Sequence, residues 1–326
     1  MKFPRRRFLH FVASAAALPA VWSFAEAQNY PAHPITLVHG FAAGGSTDIL
    51  ARIVAEGITR HLGQQVIVEA RPGAGSTTAT GQVARAAADG YTLIVLTGSN
   101  PIAAAMYRTL PFRTVDDFSM VGMIAEYPYV FVTYPDHSIR TVGDLIVTAR
   151  QWNTPLLYGS SGTGSGPHLS MEYFASLANI PLQHIPYRGG APAITDLIGK
   201  RVDLVPDAPT VLLEFIKDGR LRALGVTGGK RFFGLPDVPT IAQTGVPGYE
   251  VTSWAGLAAP AGLAPILVLL LNSAIAAFLA EPAIIERFHA LGIEPRPSSP
   301  NEFKTRIAAD IAKWTSVVSS AGIDRF

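Results

Sequence analysis

Short β-rich apolar runs alternate along the chain with patterns of helical period. Residues 35–39, 66–69, 91–97, 156–158, 184–187, 202–205 and 221–227 read as strands. Between them, Ile49, Leu50, Ile53, Val54, Ile58 and Leu62 fall on one face of a helix, and Leu169, Tyr173, Phe174 and Leu177 on another. Alternation of this kind predicts an α/β fold with mainly parallel sheets flanked by helices. Thr141 with Asp144 predicts a capping box at one helix start, and Ser299-Pro300 with Glu302 predicts another at the last helix.

Residues 257–280 carry no charge, but Pro260, Gly262 and Pro265 break the run. The part after Pro265 makes a helix of about 24 Å, short of the roughly 30 Å of a bilayer core, so it reads as a buried core helix. Residues 120–124 and 129–134 are two further strand-like stretches, and residues 220–255 read strand, Pro/Gly loop, strand. Crossings placed there divide the chain into lobe 1 (28–127 plus 248–326) and lobe 2 (128–247), with a hinge and a cleft between them. Two lobes also suit the size, since a single core rarely grows beyond about 250–300 residues.

The N-terminus differs in pattern from all of this. Arg5-Arg6-Arg7-Phe8-Leu9 precedes an apolar run and then Ala25-Glu26-Ala27, the basic, apolar, small-x-small order of an export signal cleaved near Ala27. The paired arginines resemble the twin-arginine variant. An N-terminal membrane anchor is the alternative, and its apolar stretch is shorter than the roughly 20 residues a span requires. The expected location is the periplasm.

Charge and composition remove several function classes. Lys2 and Arg5 to Arg7 against Glu26 give the first 27 residues +3, so the remainder of a chain with net charge +2 carries −1. Nucleic acid is therefore not an expected partner. The chain is 48% hydrophobic and 15% charged, as a folded globular protein is, and it contains no cysteine, which excludes disulfides and thiol chemistry.

The candidate chemistry lies in glycine-rich turns that leave a strand and enter a helix. They are Gly40 to Asp48, Arg71 to Thr78, Gly159 to His168 and Tyr187 to Pro192. A helix start exposes about four backbone N–H groups and the positive end of the dipole, so an anion is the natural ligand. Any one such loop is equally well a simple turn. Several at the same strand ends point to a ligand edge. None contains a P-loop lysine or completes Gly-x-Gly-x-x-Gly, and only Arg71 and Arg188 are basic, so one or two carboxylates fit better than a polyphosphate. No cofactor is implied.

Catalytic patterns are sparse. There is no Gly-x-Ser-x-Gly and no His-x-x-x-His pair. His168 reads as a capping or packing histidine, with ligand contact as the alternative. Asp48 reads as a first-turn carboxylate complementing the helix dipole, or as an acceptor for a ligand amine or hydroxyl, and Asp207 carries the same ambiguity. Tyr249 and Trp254 read as core.

Taken in order, Phe41-x-x-Gly44-Gly45-x-x-Asp48, Arg71-Pro72-Gly73-Ala74-Gly75, Tyr158-Gly159-Ser160-x-Gly162-x-Gly164-Ser165-x-x-His168-Leu169, Pro186-Tyr187-Arg188-Gly189-Gly190-x-Pro192-Ala193 and Leu235-Pro236-Asp237-Val238-Pro239-Thr240 resemble the Bug family, the solute receptors of tripartite tricarboxylate transporters. The likeness runs from about Pro34 to the C-terminus. It implies a two-lobed periplasmic-binding-protein fold of type II character, closing on a small carboxylate for delivery to membrane transporter subunits. The implied contacts are Phe41, Ala43, Gly44, Ser46, Thr47 and Asp48 from one lobe and Ser160, Thr163, Gly164 and His168 from the other. Tyr187, Gly189, Gly190 and Asp207 would line the distal side. Ser76 departs from the pattern, where glycine is usual, and so does Gln243, where glutamate is usual. A monomeric receptor, not an enzyme, is the expectation. The competing readings are a secreted hydrolase or isomerase using Asp48, His168 and Asp207, and a sensor subunit without a transporter.

Overall fold

The computed structural model describes residues 30–326, so the export segment and its cleavage position lie outside the described residues. In chain order the strands are β1 (Ile35–His39), β2 (Val66–Ala70), β3 (Thr92–Thr97), β4 (Phe118–Pro128), β5 (Val130–Thr133), β6 (Leu156–Ser160), β7 (Leu182–Pro186), β8 (Val205–Asp207), β9 (Arg222–Val226), β10 (Thr252–Pro260) and β11 (Glu294–Pro295). The helices are α1 (Ser46–Leu62), α2 (Thr77–Val83), α3 (Ser99–Met106), α4 (Val142–Gln151), α5 (Gly166–Ala178), α6 (Gly190–Ile198), α7 (Pro209–Lys217), α8 (Pro265–Leu279), α9 (Pro282–Ala290) and α10 (Pro300–Ser320).

Two bodies of sheet result, as a two-lobed periplasmic-binding-protein fold requires. One is a six-stranded sheet in the order β11-β4-β10-β3-β1-β2. The other combines β8-β5-β9 with the pair β6-β7, joined by a bridge between Tyr158 and Leu204. The strand directions correct the expectation of mainly parallel sheets. β1 pairs in parallel with β2 and β3, and β6 with β7, but β10 runs antiparallel to both β3 and β4, and β5 antiparallel to β8 and β9. The antiparallel strands are the ones next to the crossings between the two bodies, where the chain leaves one sheet and returns.

Local rules account for most elements. β1 and β3 are almost continuous apolar runs with Leu37, Val38, Leu93, Ile94 and Leu96 fully buried, as central strands covered on both faces must be. Both capping boxes form, with Thr141 and Ser299 accepting from the N–H groups of Asp144 and Glu302. α8 begins at Pro265 and packs along α1, where Phe278 lies so close to Gly57 that a Cβ there would sit 2.5 Å from its ring. Among the described residues no single helix is long and apolar enough to cross a membrane, and α8 meets α9 at a bend of 75°. Leu177, expected on the buried face of α5, is exposed. That face is instead formed by Leu169, Met171, Phe174, Ala175 and Ala178. Tyr249 and Trp254 are core residues.

Two chain passages between the sheets are stitched by one side chain. Thr227, just after β9, donates its N–H to Tyr129 O (3.0 Å) and accepts from Tyr129 N at its hydroxyl (2.8 Å). The same hydroxyl donates to Val251 O (2.7 Å), and Val251 N donates back to Thr227 O (2.8 Å).

Candidate functional site

Five helices begin at one small cavity between the sheets. Its lining takes Gly45, Ser46 and Thr47 from the start of α1, Ser99 from α3, Pro167 from α5, Gly190 from α6 and Asp207-Ala208 from the entry to α7. Phe41, Thr97, Tyr127, Tyr129 and Ser161 complete it. No lysine, arginine or histidine is among these residues. The cavity measures about 30 Å³, room for a water molecule or two.

The sequence builds each wall locally. After β1 the chain turns through Gly44, whose φ of +78° lies in the left-handed region, and enters α1 with extended Gly45 at the N-cap. After β6 it turns through Gly162 and Gly164 into α5, where Ser165 caps the helix by accepting from His168 N (3.3 Å). Gly190 opens α6 against the Asp207 carboxylate. A Cβ there would lie 1.8 Å from Asp207 Oδ2, so only glycine admits that approach.

The two halves touch along the cleft. Ala42 N donates to Arg188 O (2.9 Å), Gly166 N to Ser99 Oγ (2.9 Å), Tyr107 Oη to Thr163 O (3.4 Å) and Ser46 Oγ to Asp207 Oδ1 (3.4 Å). Asp207 also accepts from Ala208 N (2.7 Å), while its Oδ2 has no partner and the residue is only 6% exposed. Burial pushes its pKa up to about 6, against the pull of the Ala208 N–H and the Ser46 hydroxyl. Burial likewise raises the Tyr127 hydroxyl to about 12 and the Tyr129 hydroxyl well above its ordinary value, which keeps both protonated.

Of the residues singled out from sequence, the structure brings Phe41, Ser46, Thr47, Gly190 and Asp207 to the cavity. Asp207, expected on a distal side, sits directly against the α1 loop through Ser46. Ala43 and Gly44 lie exposed at the rim, and Gly189 backs onto Ala42, whose nitrogen would be 2.8 Å from a Cβ there. Ser160 is buried behind its loop, accepting from Gly162 N (3.1 Å) and lying 2.6 Å from His184 Nε2. Thr163 and Gly164 engage Tyr107 and His168. The Tyr187 hydroxyl turns outward to Asp196 (2.8 Å).

Asp48 and His168 are directed elsewhere. Asp48 Oδ2 accepts from Gly44 N and Arg52 Nε (3.0 Å each), and Oδ1 lies 3.1 Å from His39 Nε2. Burial raises its pKa, and the Arg52 and Gly44 hydrogen bonds more than offset this, so it lies below the usual carboxylate range. His168 takes a proton contact from Gly164 N at Nδ1 (3.2 Å), stacks on His184 with ring centres 3.9 Å apart and faces a separate open groove of about 710 Å³ with Glu172 and Phe326. Burial lowers it to about 3, and the neighbouring His184 adds to the shift. Asp48, His168 and Asp207 therefore form no shared acid/base set, which removes the geometric basis for the hydrolase or isomerase alternative.

Sequence reading missed Thr97, Ser99, Tyr127 and Tyr129. Thr97-Gly98-Ser99, a strand end running through glycine into a helix, repeats the signal carried by the other loops and was available. The tyrosines gave none, because aromatic residues in a strand read as core.

Comparison with known proteins places this geometry. Residues 50–323 match the tripartite tricarboxylate transporter family receptor. The chain is 34% identical to protein BugT of Bordetella pertussis strain Tohama I, over 96% of this chain and 95% of that protein. It is similar to Rhodopseudomonas palustris Rpa4515, solved with adipate, at 36% identity and a TM-score of 0.88 over 91% of this chain and 100% of that one. It is similar also to MatC of the same organism, solved with bound malate, at 30% identity and a TM-score of 0.86 over 89% of this chain and 100% of that one. Receptors of this family are periplasmic solute-binding proteins, not enzymes. With its two sheets closing on a ring of helix starts, this chain belongs to the Bug proteins, the receptors of the tripartite tricarboxylate transporter family.

Proposed function

We propose that the protein captures a small organic carboxylate between its lobes and presents it to the membrane subunits of a tripartite transporter. The observation that carries this reading is the convergence of five helix starts and a set of neutral hydroxyls on a cavity lined by no cation. First-turn N–H groups lack intrahelical partners and carry the positive end of each dipole, so one carboxylate is held there without a buried lysine or arginine. Hydrogen bonds to a charged group contribute about 1.5–3 kcal/mol each, and four or five of them, less the cost of association, reach micromolar affinity, near −8 kcal/mol. The adipate and malate of the two similar structures are carboxylates, which supports the class.

Capture requires the lobes to part. A cavity of about 30 Å³ does not admit an organic acid, and the cleft is closed by a few hydrogen bonds such as Ala42 to Arg188 and Gly166 to Ser99. Each contributes about 0.5–1.5 kcal/mol net, so opening is within thermal reach. Lobe 1 comprises residues 28–127 and 248–326 and lobe 2 residues 128–247, with Thr227 at the pivot. Export removes the segment ending near Ala27, and the mature receptor works as a monomer in the periplasm.

Titration calorimetry of the mature chain against monocarboxylates, di- and tricarboxylates, aromatic acids and amino acids tests the reading. Saturable 1:1 heat with at least one acid is expected, together with a rise in melting temperature. No heat and no melting shift with any carboxylate would overturn it.

A further inference from the structure

The cavity lining contains one side chain that is charged at neutral pH, the Asp207 carboxylate, and its sign is opposite to what a receptor for multiply charged acids would place there. Asp207 Oδ1 is engaged by Ala208 N and Ser46 Oγ, but Oδ2 is buried, unpartnered and at the cavity wall against Gly190. A buried carboxylate oxygen without a donor is an unfavourable arrangement that a ligand donor relieves. The rest of the lining is the Phe41 ring, hydroxyls and helix starts, which neutralise one negative charge and offer no cation for a second.

We infer that Asp207 is the specificity-determining residue of this site, selecting acids that carry a hydroxyl or amino group on the second or third carbon and rejecting a second ionised carboxylate at that place. The position follows from geometry. Ser46, in the first turn of α1 where the ligand carboxylate would be gripped, is 3.4 Å from Asp207 Oδ1, so the donor must lie within one or two carbons of the gripped group. An ammonium or hydroxyl donates to Oδ2, whereas a carboxylate there meets a like charge in a poorly solvated cavity. The upward shift of the Asp207 carboxyl, caused by burial, agrees with an environment that lacks positive charge. The inference rests on the receptor reading and adds the ligand class to it.

The test uses the mature chain and matched sets of straight-chain acids of four to six carbons. Each set contains the plain monoacid, its 2- and 3-hydroxy and amino derivatives, and the diacid. For the wild-type chain, a hydroxy or amino acid is expected to bind at least about tenfold tighter than the diacid and the plain acid of its set. In Asp207→Asn, confirmed as folded by its melting curve, the advantage over the diacid shrinks to within about threefold, since the amide carries no charge. A diacid that binds the wild-type chain as tightly as its substituted counterparts overturns the assignment, as does an unchanged ranking in Asp207→Asn. Silence across every set overturns this inference, and the wider panel of tricarboxylates and aromatic acids then decides the receptor reading itself. A response to diacids alone leaves that reading standing and overturns only this one.

Discussion

Ser46 and Asp207 are 161 residues apart in sequence, and the Ser46 hydroxyl reaches across the cleft to within 3.4 Å of the Asp207 carboxylate. The contact is long and the acceptor is only partly satisfied, since Oδ2 has no partner. Stability and function therefore pull in different directions at this residue. An acid with a pKa raised from 3.8 to about 6 binds its proton more tightly in the folded state. Its carboxyl then opposes folding progressively as pH rises from about 4 through about 6, by about 3 kcal/mol once fully ionised.

Asp207→Asn should remove that penalty. Urea denaturation at pH 8 is expected to show the variant more stable than the wild type by about 1–3 kcal/mol, with the difference shrinking toward zero at pH 4 where the wild-type carboxyl is protonated. Equal differences at both pH values would mean that Asp207 is not held ionised in a poorly solvated place.

Gly190→Ala tests the fit of the two halves. Its Cβ would fall 1.8 Å from Asp207 Oδ2, far inside van der Waals contact, so the carboxylate or the start of α6 must move. Overpacking of this kind costs about 1–3 kcal/mol, and it falls on the site because both atoms line the cavity. Carboxylate affinity measured by calorimetry should drop by about tenfold or more, while a melting curve still shows one cooperative transition. Retained affinity would place the ligand away from α6.

Much of this arrangement was legible along the chain because its signals are local. Gly44, Gly162 and Gly164 mark turns with positive φ, and Thr141 and Ser299 announce helix starts by their own chemistry. What remained illegible depends on how distant pieces meet. Tyr129 opens one strand-like stretch and Tyr127 lies just before it, and they become cavity walls only because the chain crosses between the sheets there. Asp48 stands beside the same glycine turn as Ser46, yet the helix repeat turns it back onto His39 and Arg52. His168 likewise follows a glycine loop but faces the far side of α5. Antiparallel β10 could not be read from alternation, since its direction is set by the return from the second sheet. Ser76, which the resemblance marks as a departure from glycine, takes a φ of +84°, in the left-handed region that favours glycine.

The stacked histidines should make the protein acid-labile. His168 falls to about 3 and His184 to about 4, both chiefly through burial, while the unfolded values lie near 6.5. A depressed histidine contributes its full stability above 6.5 and loses it as pH falls toward the folded value. At pH 5 the unfolded chain binds a proton that folded His168 refuses, a loss of about 2 kcal/mol. Asp207 and Glu172, whose pKa values burial raises, act in the opposite sense on acidification, so the informative quantity is the change on mutation. His168→Gln is expected to be less stable than wild type at pH 7.5, having lost its stack, but to lose less of its remaining stability between pH 7.5 and pH 5. Parallel losses in the two proteins would show that His168 is free to protonate in the folded state.

Thr227 offers the sharpest test of the pivot. Its hydroxyl accepts from Tyr129 N (2.8 Å) and donates to Val251 O (2.7 Å), and Thr227 is fully buried. Thr227→Val preserves the volume but strips both partners, leaving a buried N–H and weakening a buried carbonyl's bonding. Unsatisfied buried groups cost about 1–3 kcal/mol each, so a loss of about 2–4 kcal/mol is expected in urea denaturation. Thr227→Ser retains the hydroxyl and removes only a methyl, and it should recover most of that loss, within about 1 kcal/mol of wild type. Val251 and Tyr129 belong to two different crossing segments, so loosening them should also widen the range of lobe separations. Small-angle scattering without added acid would then give a larger radius of gyration for Thr227→Val than for the wild type, and saturating acid would bring the two together. If Thr227→Ser is as destabilised as Thr227→Val, the hydroxyl is not the element that joins the crossing segments.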